Sequence, residues 1–538
     1  MNTFNKSLLA ISITSLLTAC GGSNNDTSSS TVPTNSNPTT PTTPTTPTAK
    51  SIKATLVNHG SDFTWEKGET ISVNAVDQDN KAVTIKSCTS DDNTRLAVSE
   101  DCKALTVHRL GQSTLTVTDT NNLTTKITVN GVPARMPLAV NSSVNDLVHV
   151  ITPEGKLMVW GSNSTSSRLA TTTGKKPDFV QYPTQVITAD GSPLSDIYQV
   201  TDSNGTSFAL DLKGRVYGWG LGVSGKTVSK GVNIYFPELM LDATANQPLA
   251  NIVQIATSDF AQGEAIGLTD EGKVMVWGFG LRRYPTYIND ANGQPLMNIK
   301  QIAMGGSNID DSLLTALYAI DKDGQVYAFN LDINKLPYDI RLVKDKNGQP
   351  LRGVTKVVAS SFHALALTQS GNVYAWGKPK EHLGDEKLLN STVQHINYAN
   401  LVNIKGVPLT NIKDIGVNFG SSYAVTQSGN VYAWGNAPVG QLGDGANNPL
   451  GNATAIPTLV TSETGSGVLQ NVIAITTAND AALALKTDGT IVGWGNNWHG
   501  LLTQTPPTSG QRYFSPVVIQ ANEGQPFKVD LSKYTQLN

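Results

Sequence analysis

The sequence predicts an all-β chain: a seven-bladed β-propeller preceded by a small β-sandwich and a disordered tether. Three observations carry that prediction. A phrase of the form Gly, one residue, an aliphatic residue, two residues, Trp-Gly occurs as GKLMVWG at Gly155, GRVYGWG at Gly214 and GKVMVWG at Gly272. It decays to GQVYAFN at Gly324, returns as GNVYAWG at Gly371 and Gly429, and closes as GTIVGWG at Gly489. Successive glycines lie 59, 58, 52, 47, 58 and 60 residues apart, so one supersecondary unit is copied along residues 134–538. Second, a turn ending in Pro-Leu or a worn form of it (Pro137-Leu138, then at Gly191, Asn246, Gly293, Gly348, Gly406, Gly467 and Gly524) bounds the seven units. Third, the stretches between these marks alternate apolar and polar residues with no helical period.

Within a unit, Pro-Leu is followed by a short apolar strand, NIVQIA at Asn251 or NIKQIA at Asn298. A turn of small residues leads to a second strand, HALALTQ at His363 or SYAVTQ at Ser422. Ser-Gly or Asp-Gly then makes a tight hairpin into the Trp-Gly strand. A variable loop follows, then a fourth strand such as PTQVI at Pro183 or SPVVI at Ser515. Four antiparallel strands make a propeller blade, and the flat Trp suits an interface between sheets. Unit one is short: 17 residues separate Leu138 from Gly155, against 20 in four other units. The chain also restarts the opening strand after unit seven, in GQPFKVDL at Gly524. These two facts predict ring closure by pairing of Phe527–Leu531 with the blade that holds Leu147–Trp160, which removes an exposed edge.

The repeated phrases resemble those of the regulator of chromosome condensation family, whose repeats form a seven-bladed propeller. The phrase GQLG that follows Trp-Gly in that family stands intact once, at Gly440, and is worn at His382 (HLGD) and Trp498 (WHGLL). The resemblance covers roughly residues 136–538 and implies fold more strongly than function, since this fold hosts many activities. The eukaryotic member promotes nucleotide exchange on a small GTPase, a setting that an exported protein does not meet. A secreted bacterial propeller that inhibits β-lactamases suggests binding through loops of one face, although none of its interface residues maps onto this chain.

Residues 1–19 read as a signal peptide: Lys6 is the positive start and Leu8 to Leu17 is an apolar core too short to span a bilayer. The sequence Leu17-Thr18-Ala19-Cys20 resembles the lipobox of bacterial lipoproteins, which implies lipidation of Cys20; an ordinary secretory signal is the alternative. Gly21 after the Cys implies an outer-membrane lipoprotein of the bacterial envelope, periplasmic or surface-exposed. Residues 20–50 are rich in Ser, Thr and Pro, cannot bury a core, and read as an extended tether. Residues 51–133 alternate strand-like stretches with turns, and their closing Gly-x-Ser-x-Leu-x-Val pattern at Gly111 resembles a bacterial immunoglobulin-like β-sandwich. Cys88 and Cys102 remain once Cys20 carries lipid, and an oxidising compartment predicts a disulfide between them, with two free thiols as the alternative.

The net charge is -3 and there is no basic run, so no nucleic-acid partner is expected. The seven His stand in no metal-ligand spacing, and no nucleophile-elbow, zincin or phosphate-loop phrase is present. No enzyme chemistry, metal or cofactor is therefore expected, and His363 is read as structural. Binding is expected from the variable loops after Trp-Gly. These carry Tyr235, Phe236, Arg282, Arg283, Tyr284, Tyr287, Trp498, His499, Arg512, Tyr513 and Phe514, of the types enriched at binding hot spots. The expectation is a monomeric, lipid-anchored binding protein for a protein or glycan, with an envelope hydrolase or lyase, or a structural component, as alternatives.

Overall fold

Each repeat becomes one antiparallel sheet. The computed structural model describes residues 50–538 apart from 58–61, 65–71, 110, 133–146, 163–167, 173–178, 204, 222–232, 259–262, 279–281, 291, 307–315, 331–338, 391, 393–394, 447–452, 479, 498–499, 503–510 and 534–538. Among the described residues the repeats form seven sheets, six of four strands and a first of three. Blade two shows the plan: Ile197–Ser203, Thr206–Asp211, Val216–Leu221 and Asn233–Leu239, hydrogen-bonded in chain order.

The start of a blade is set by one backbone geometry. Asp196, Asn251, Asn298, Asn411 and Asn471 all hold φ near +60° immediately before the first strand, and Gly353 holds +65° at the same place. Asn, Asp and Gly are the residues that tolerate this region. The left-handed residue turns its carbonyl back to the strand two–three hairpin, accepting from the amide of Leu212, Asp270, Lys322, Gln369, Gln427 or Thr487. The next residue donates its own amide to the hairpin glycine, as Ile252 does to Gly214. Each blade is thus pinned to its neighbour at the hairpin end.

The Trp-Gly glycine works at the opposite end. Gly220 sits at φ +104°, and a Cβ there would meet the carbonyl oxygen of Gly205 at 2.3 Å, so a side chain is excluded. The pairing of strands three and four shifts register across the Trp in blades one, two, three, five, six and seven. Because of that bulge strand four continues to pair beyond the Trp, as in Gly495 with Tyr513 and Asn496 with Arg512. Tyr235, Phe236, Arg282, Arg283, Tyr284, Tyr287, Arg512, Tyr513 and Phe514 therefore lie in fourth strands, not in the loops expected for them.

The core lies between the blades. Trp160, Trp219, Trp277, Trp434 and Trp494 are fully buried, with Trp376 and Phe329 nearly so. The indole N–H of Trp219 donates to the carbonyl of Arg168 at 2.7 Å, Trp434 to His382 at 2.9 Å and Trp494 to Gln441 at 2.8 Å. Each acceptor belongs to the loop after Trp-Gly of the preceding blade. Trp160 of blade one donates to Leu501 of blade seven at 3.0 Å, so the same bond closes the ring.

The expected closing pair takes a different form. Val529 donates to Gly489, the bond by which the first strands of blades two to seven join the preceding hairpin, and Lys528 bridges Thr490. Leu531–Lys533 then turn as a 3-10 segment instead of continuing as a strand. Contact with blade one is by side chains: Val529 joins the core of Val148, Val150 and Trp160, and the Phe527 ring lies 6.2 Å from that of Trp160.

The N-terminal domain has two sheets over one core. Ile52–Leu56 pairs with Val73–Asp77. The second sheet runs Asp62–Thr64, Thr124–Val132, Gly111–Asp119, Ile85–Ser90. Leu56 and Val73 from one sheet pack with Leu115, Val117 and Val129 from the other, and with Leu96 and Leu105 of a short hairpin. Cys88 and Cys102 are joined by a disulfide, their Cα atoms 5.5 Å apart. The boundary expected at 133/134 falls outside the described residues, as do Cys20 and the tether.

Candidate binding face

Strands one and three of blades two to seven run toward the Trp-Gly end, so the turns joining strands one and two gather there with the Trp-Gly loops. A series of polar side chains on the first strands ties blades two to seven together below that face. Gln199 accepts from the amide of Ile255 and donates to its carbonyl, both at 2.9 Å. Gln254 does the same to Ile302, and Gln301 to Val357. From blade five onward Lys356 pairs with Asp414 at 2.5 Å, whose other oxygen accepts from Ile475 at 3.0 Å. An amide side chain that satisfies one residue's two backbone groups imitates another strand. The turns above are thereby held on a stiff base.

Two of these turns carry an aromatic pair. In blade five, Ser360 and His363 close the turn backbone to backbone at 2.9 Å, with Phe362 at its tip. In blade six, the Asn418 side-chain oxygen accepts from the amides of Gly420 and Ser421, with Phe419 at the tip. The two rings meet edge to face with centroids 4.8 Å apart, a favoured aromatic geometry. Phe419 remains 41% exposed.

Beneath the pair lies a buried histidine cluster. His363 is fully buried, with Nδ1 3.1 Å from Ser360 Oγ and Nε2 2.8 Å from Ser422 Oγ. The Ser422 hydroxyl donates to the His382 carbonyl at 3.0 Å, so His363 Nε2 is the donor to Ser422 and Nδ1 carries no proton; the Ser360 hydroxyl also donates to the His363 carbonyl, at 3.3 Å. The His382 ring lies edge-on at 4.9 Å. Burial pushes His382 down to about 4, and burial with the neighbouring His382 lowers His363 well below the usual imidazole value. Both rings are neutral at neutral pH. The Ser422 proton is committed to a carbonyl, so the arrangement braces the turn and activates no nucleophile.

A second buried cluster braces blades one and two. His149 Nδ1 lies 3.0 Å from Asp202 Oδ2, and the Arg168 guanidinium lies 3.8 Å from Asp202 Oδ1. Burial works against the Asp202 carboxylate, yet His149, then Arg168, and the Ser207 hydroxyl hold its pKa below the ordinary value. Arg168-Leu169-Ala170 occupies the place of His382-Leu383-Gly384 and Gln441-Leu442-Gly443, with Leu169, Leu383 and Leu442 all buried. The worn phrase in unit one is present after all. Its signal is a Leu seven to nine residues after the Trp, as Leu169, Leu383, Leu442 and Leu502 show.

The sequence-expected binding residues are dispersed. Tyr235 is exposed on blade two, whereas Phe236 packs against the core. Tyr284 is half-buried on blade three, and exposed Tyr287 has Lys273 Nζ 5.6 Å from its ring. The backbone of Arg282 and Arg283 lies in the same strand. On blade seven Arg512 donates to the Pro438 carbonyl at 3.1 Å, and Tyr513 packs on the seam with blade one. Trp498 and His499 lie outside the described residues. Sequence reading missed Phe362 and Phe419, each a single aromatic among small polar residues. They stand one place apart in equivalent turns, Phe362 where blade six has Gly420 and Phe419 where blade five has Ser361, so no repeated position signals the pair.

Models of the regulator of chromosome condensation (RCC1) repeat match residues 354–381 and 428–485. This chain carries RCC1 repeats. It is 30% identical over 239 residues to Protein pim1 of Schizosaccharomyces pombe, covering 40% of this chain and 42% of that protein. It is 34% identical over 160 residues to Protein RCC1 of Candida albicans, covering 26% and 32%. The matched stretches thus span less than half of these relatives. The solved structure of Prp20p from Saccharomyces cerevisiae, whose binding properties to Gsp1p and histones were described with it, superposes with a TM-score of 0.51 at 17% identity, over 74% of this chain and 98% of that one. That likeness supports the RCC1 propeller as a fold. Residues 354–381 hold Phe362, His363 and the Trp376 strand, and residues 428–485 hold the Trp434 strand; Phe419 and Ser422 lie between the two matched stretches.

Proposed function

We propose that this chain is a lipid-anchored protein of the bacterial cell envelope that binds a protein partner through the Trp-Gly face of its RCC1 propeller. The observation that carries the reading is the Phe362–Phe419 pair, partly exposed and stacked edge to face on turns held by their own hydrogen bonds. A rigid aromatic anchor costs little entropy to bury, which is the character of a binding hot spot. Prp20p, of the same fold, is described as binding the proteins Gsp1p and histones, which favours a protein over a glycan as the ligand class. The lipobox at Leu17–Cys20 supports membrane attachment at the outer membrane, and the Ser/Thr/Pro-rich segment supports a tether. In this reading the N-terminal β-domain is an immunoglobulin-like spacer and the propeller acts as a monomeric binding module.

The test is affinity capture from envelope extract with the wild-type chain and with the Phe362→Ala/Phe419→Ala double variant. Capture of a defined protein that falls at least tenfold in the double variant supports the reading. An unchanged set of captured proteins overturns it. In cells, Cys20→Ser is expected to abolish palmitate labelling and release the protein from the membrane fraction; continued labelling refutes the anchor.

A further inference from the structure

The seven hairpins between strands two and three are equivalent turns, and their two residues before the glycine can be compared directly. They are Pro153-Glu154, Leu212-Lys213, Asp270-Glu271, Lys322-Asp323, Gln369-Ser370, Gln427-Ser428 and Thr487-Asp488. Blade three alone places two acids in succession. The backbone role of the first position, donating to the residue before strand one, is the same whether it is Leu212, Lys322 or Gln369. The acids at blade three are therefore not needed by the hairpin itself.

The N-terminal domain supplies their partner. Arg109 approaches Asp270 with Nε at 3.2 Å from Oδ2 and Nη2 at 3.4 Å from Oδ1, a two-point contact, and reaches Glu271 Oε1 at 3.2 Å. The Asp270 side chain is 1% exposed and that of Arg109 22%. Glu271 is shared with Lys273 at 2.6 Å, and Lys273 stands over the Tyr287 ring. The loop bearing Arg109 is tightly set: a Cβ on Gly131 would meet the Arg109 carbonyl oxygen at 2.2 Å. The planar fork of Arg matches a carboxylate at two points, which Lys cannot do.

We infer that Arg109 is a clamp that seats the N-terminal domain on the hairpin end of blade three, so that the Trp-Gly face is presented away from the N-terminal domain. Asp270 and Trp277-Gly278 stand at opposite ends of the strands that join them, which fixes the direction. That the free face is the one that binds rests on the proposed function above; the clamp itself does not. The acidic pair marks one blade out of seven as the seat, which a ring of near-identical repeats otherwise leaves undetermined.

The experiment measures the distance between spin labels at Lys126→Cys in the N-terminal domain and Glu523→Cys in the propeller, both at exposed positions, on the full chain. The wild-type background is expected to give one narrow distribution. Arg109→Glu or Asp270→Lys should each widen it at least twofold, and the two together should restore it, since Lys already occupies the equivalent place in blade four as Lys322. Arg109→Lys, a milder change that keeps the charge, should give an intermediate width. An equal width in all variants, or a double variant no narrower than either single, overturns the clamp. Loss of partner capture on Phe362→Ala/Phe419→Ala with an unchanged distance distribution separates failure of the face from failure of the clamp.

Discussion

The seam between blades six and seven and the seam between blades seven and one do the same job with different sequences. At the first, the intact phrase Gly440–Gly443 offers the Gln441 carbonyl to Trp494 at 2.8 Å and to the Tyr423 hydroxyl at 2.8 Å. At the second, Gly500-Leu501-Leu502 offers the Leu501 carbonyl to Trp160 at 3.0 Å. The side chain differs, but the carbonyl and the buried Leu that follows it do not: Leu442 and Leu502 are both buried. What the repeat preserves here is a backbone acceptor above an indole, so its sequence can drift while the seam persists. The Gln441 side chain is an addition at the intact seam, donating to Asp480 at 3.2 Å.

The strongest way to break this comparison is to remove the indoles. Trp494→Ala and Trp160→Ala should each cost about 3–5 kcal/mol, because both are fully buried and leave large cavities. Chemical denaturation of the two variants checks this. A Trp160→Ala cost less than half that of Trp494→Ala would mean that the worn seam is loose.

At the closing seam the segment after Gly524 takes the part that Leu469 and Val472 play at the other, with the same two backbone bonds. It places Phe527 against Trp160 and buries Val529 to 5% exposure. Deleting residues from Gly524 onward should cost about 2–4 kcal/mol, the scale of uncovering two apolar side chains and the indole edge beneath them. Deleting residues 20–50 should leave the melting temperature unchanged. Equal melting temperatures for the two truncations would show that the side-chain packing around Trp160 closes the ring unaided.

Much of this was legible in the sequence. Trp-Gly with its hairpin glycine is a local device, set by bulge and turn geometry within a few residues, and such devices leave fixed phrases. The seam and the binding face were less legible because their partners lie a blade away. Nothing around Gln199, Gln254 or Gln301 in an apolar strand shows that each satisfies a backbone some 50 residues further on. Phe362 and Phe419 are likewise made a pair only by the ring that brings their turns together. The bulge at the Trp starts strand four early, so aromatic residues that follow Trp-Gly closely in sequence stand in a strand and not in a loop.

The seam between blades five and six replaces the Gln441 arrangement with imidazoles, and this makes it acid-sensitive. His382 has its folded pKa lowered to about 4, below the unfolded value of about 6.5. The neutral form is favoured in the fold, so stability is fully present above about pH 6.5 and is lost as pH falls toward 4. The loss should reach up to ~3 kcal/mol, with His363 acting in the same direction. Comparing unfolding at pH 7 and pH 4.5 in wild type and His382→Asn checks this. The variant keeps the His382 carbonyl that holds Trp434 and Ser422, and its pH dependence should be flatter; an identical slope would assign the acid sensitivity elsewhere.

The smallest expected effect tests how far a worn phrase can be repaired. Gly384 and Gly443 follow the buried Leu in blades five and six with φ of +66° and +61°. A Cβ on Gly443 would lie 2.7 Å from Trp494 Cδ1, and one on Gly384 would lie 3.1 Å from Trp434 Nε1. Blade one has Ala170 at this place and still holds φ at +45°, a region in which an L side chain crowds the following carbonyl. Ala170 is buried in the first core, so its methyl contributes packing that a glycine would forfeit. The strain is worth about 1–2 kcal/mol, while a buried methyl contributes about 0.8 kcal/mol. Glycine also widens the unfolded ensemble by about 0.4–1 kcal/mol. Ala170→Gly should therefore change stability by less than about 1 kcal/mol in either direction. Ala at the glycines that follow Leu383 and Leu442 must displace Val402 in Gly384→Ala or an indole in Gly443→Ala and should cost more. A Gly443→Ala variant as stable as the wild type would mean that the seam yields to the methyl, and that the glycine of the intact phrase serves the turn alone.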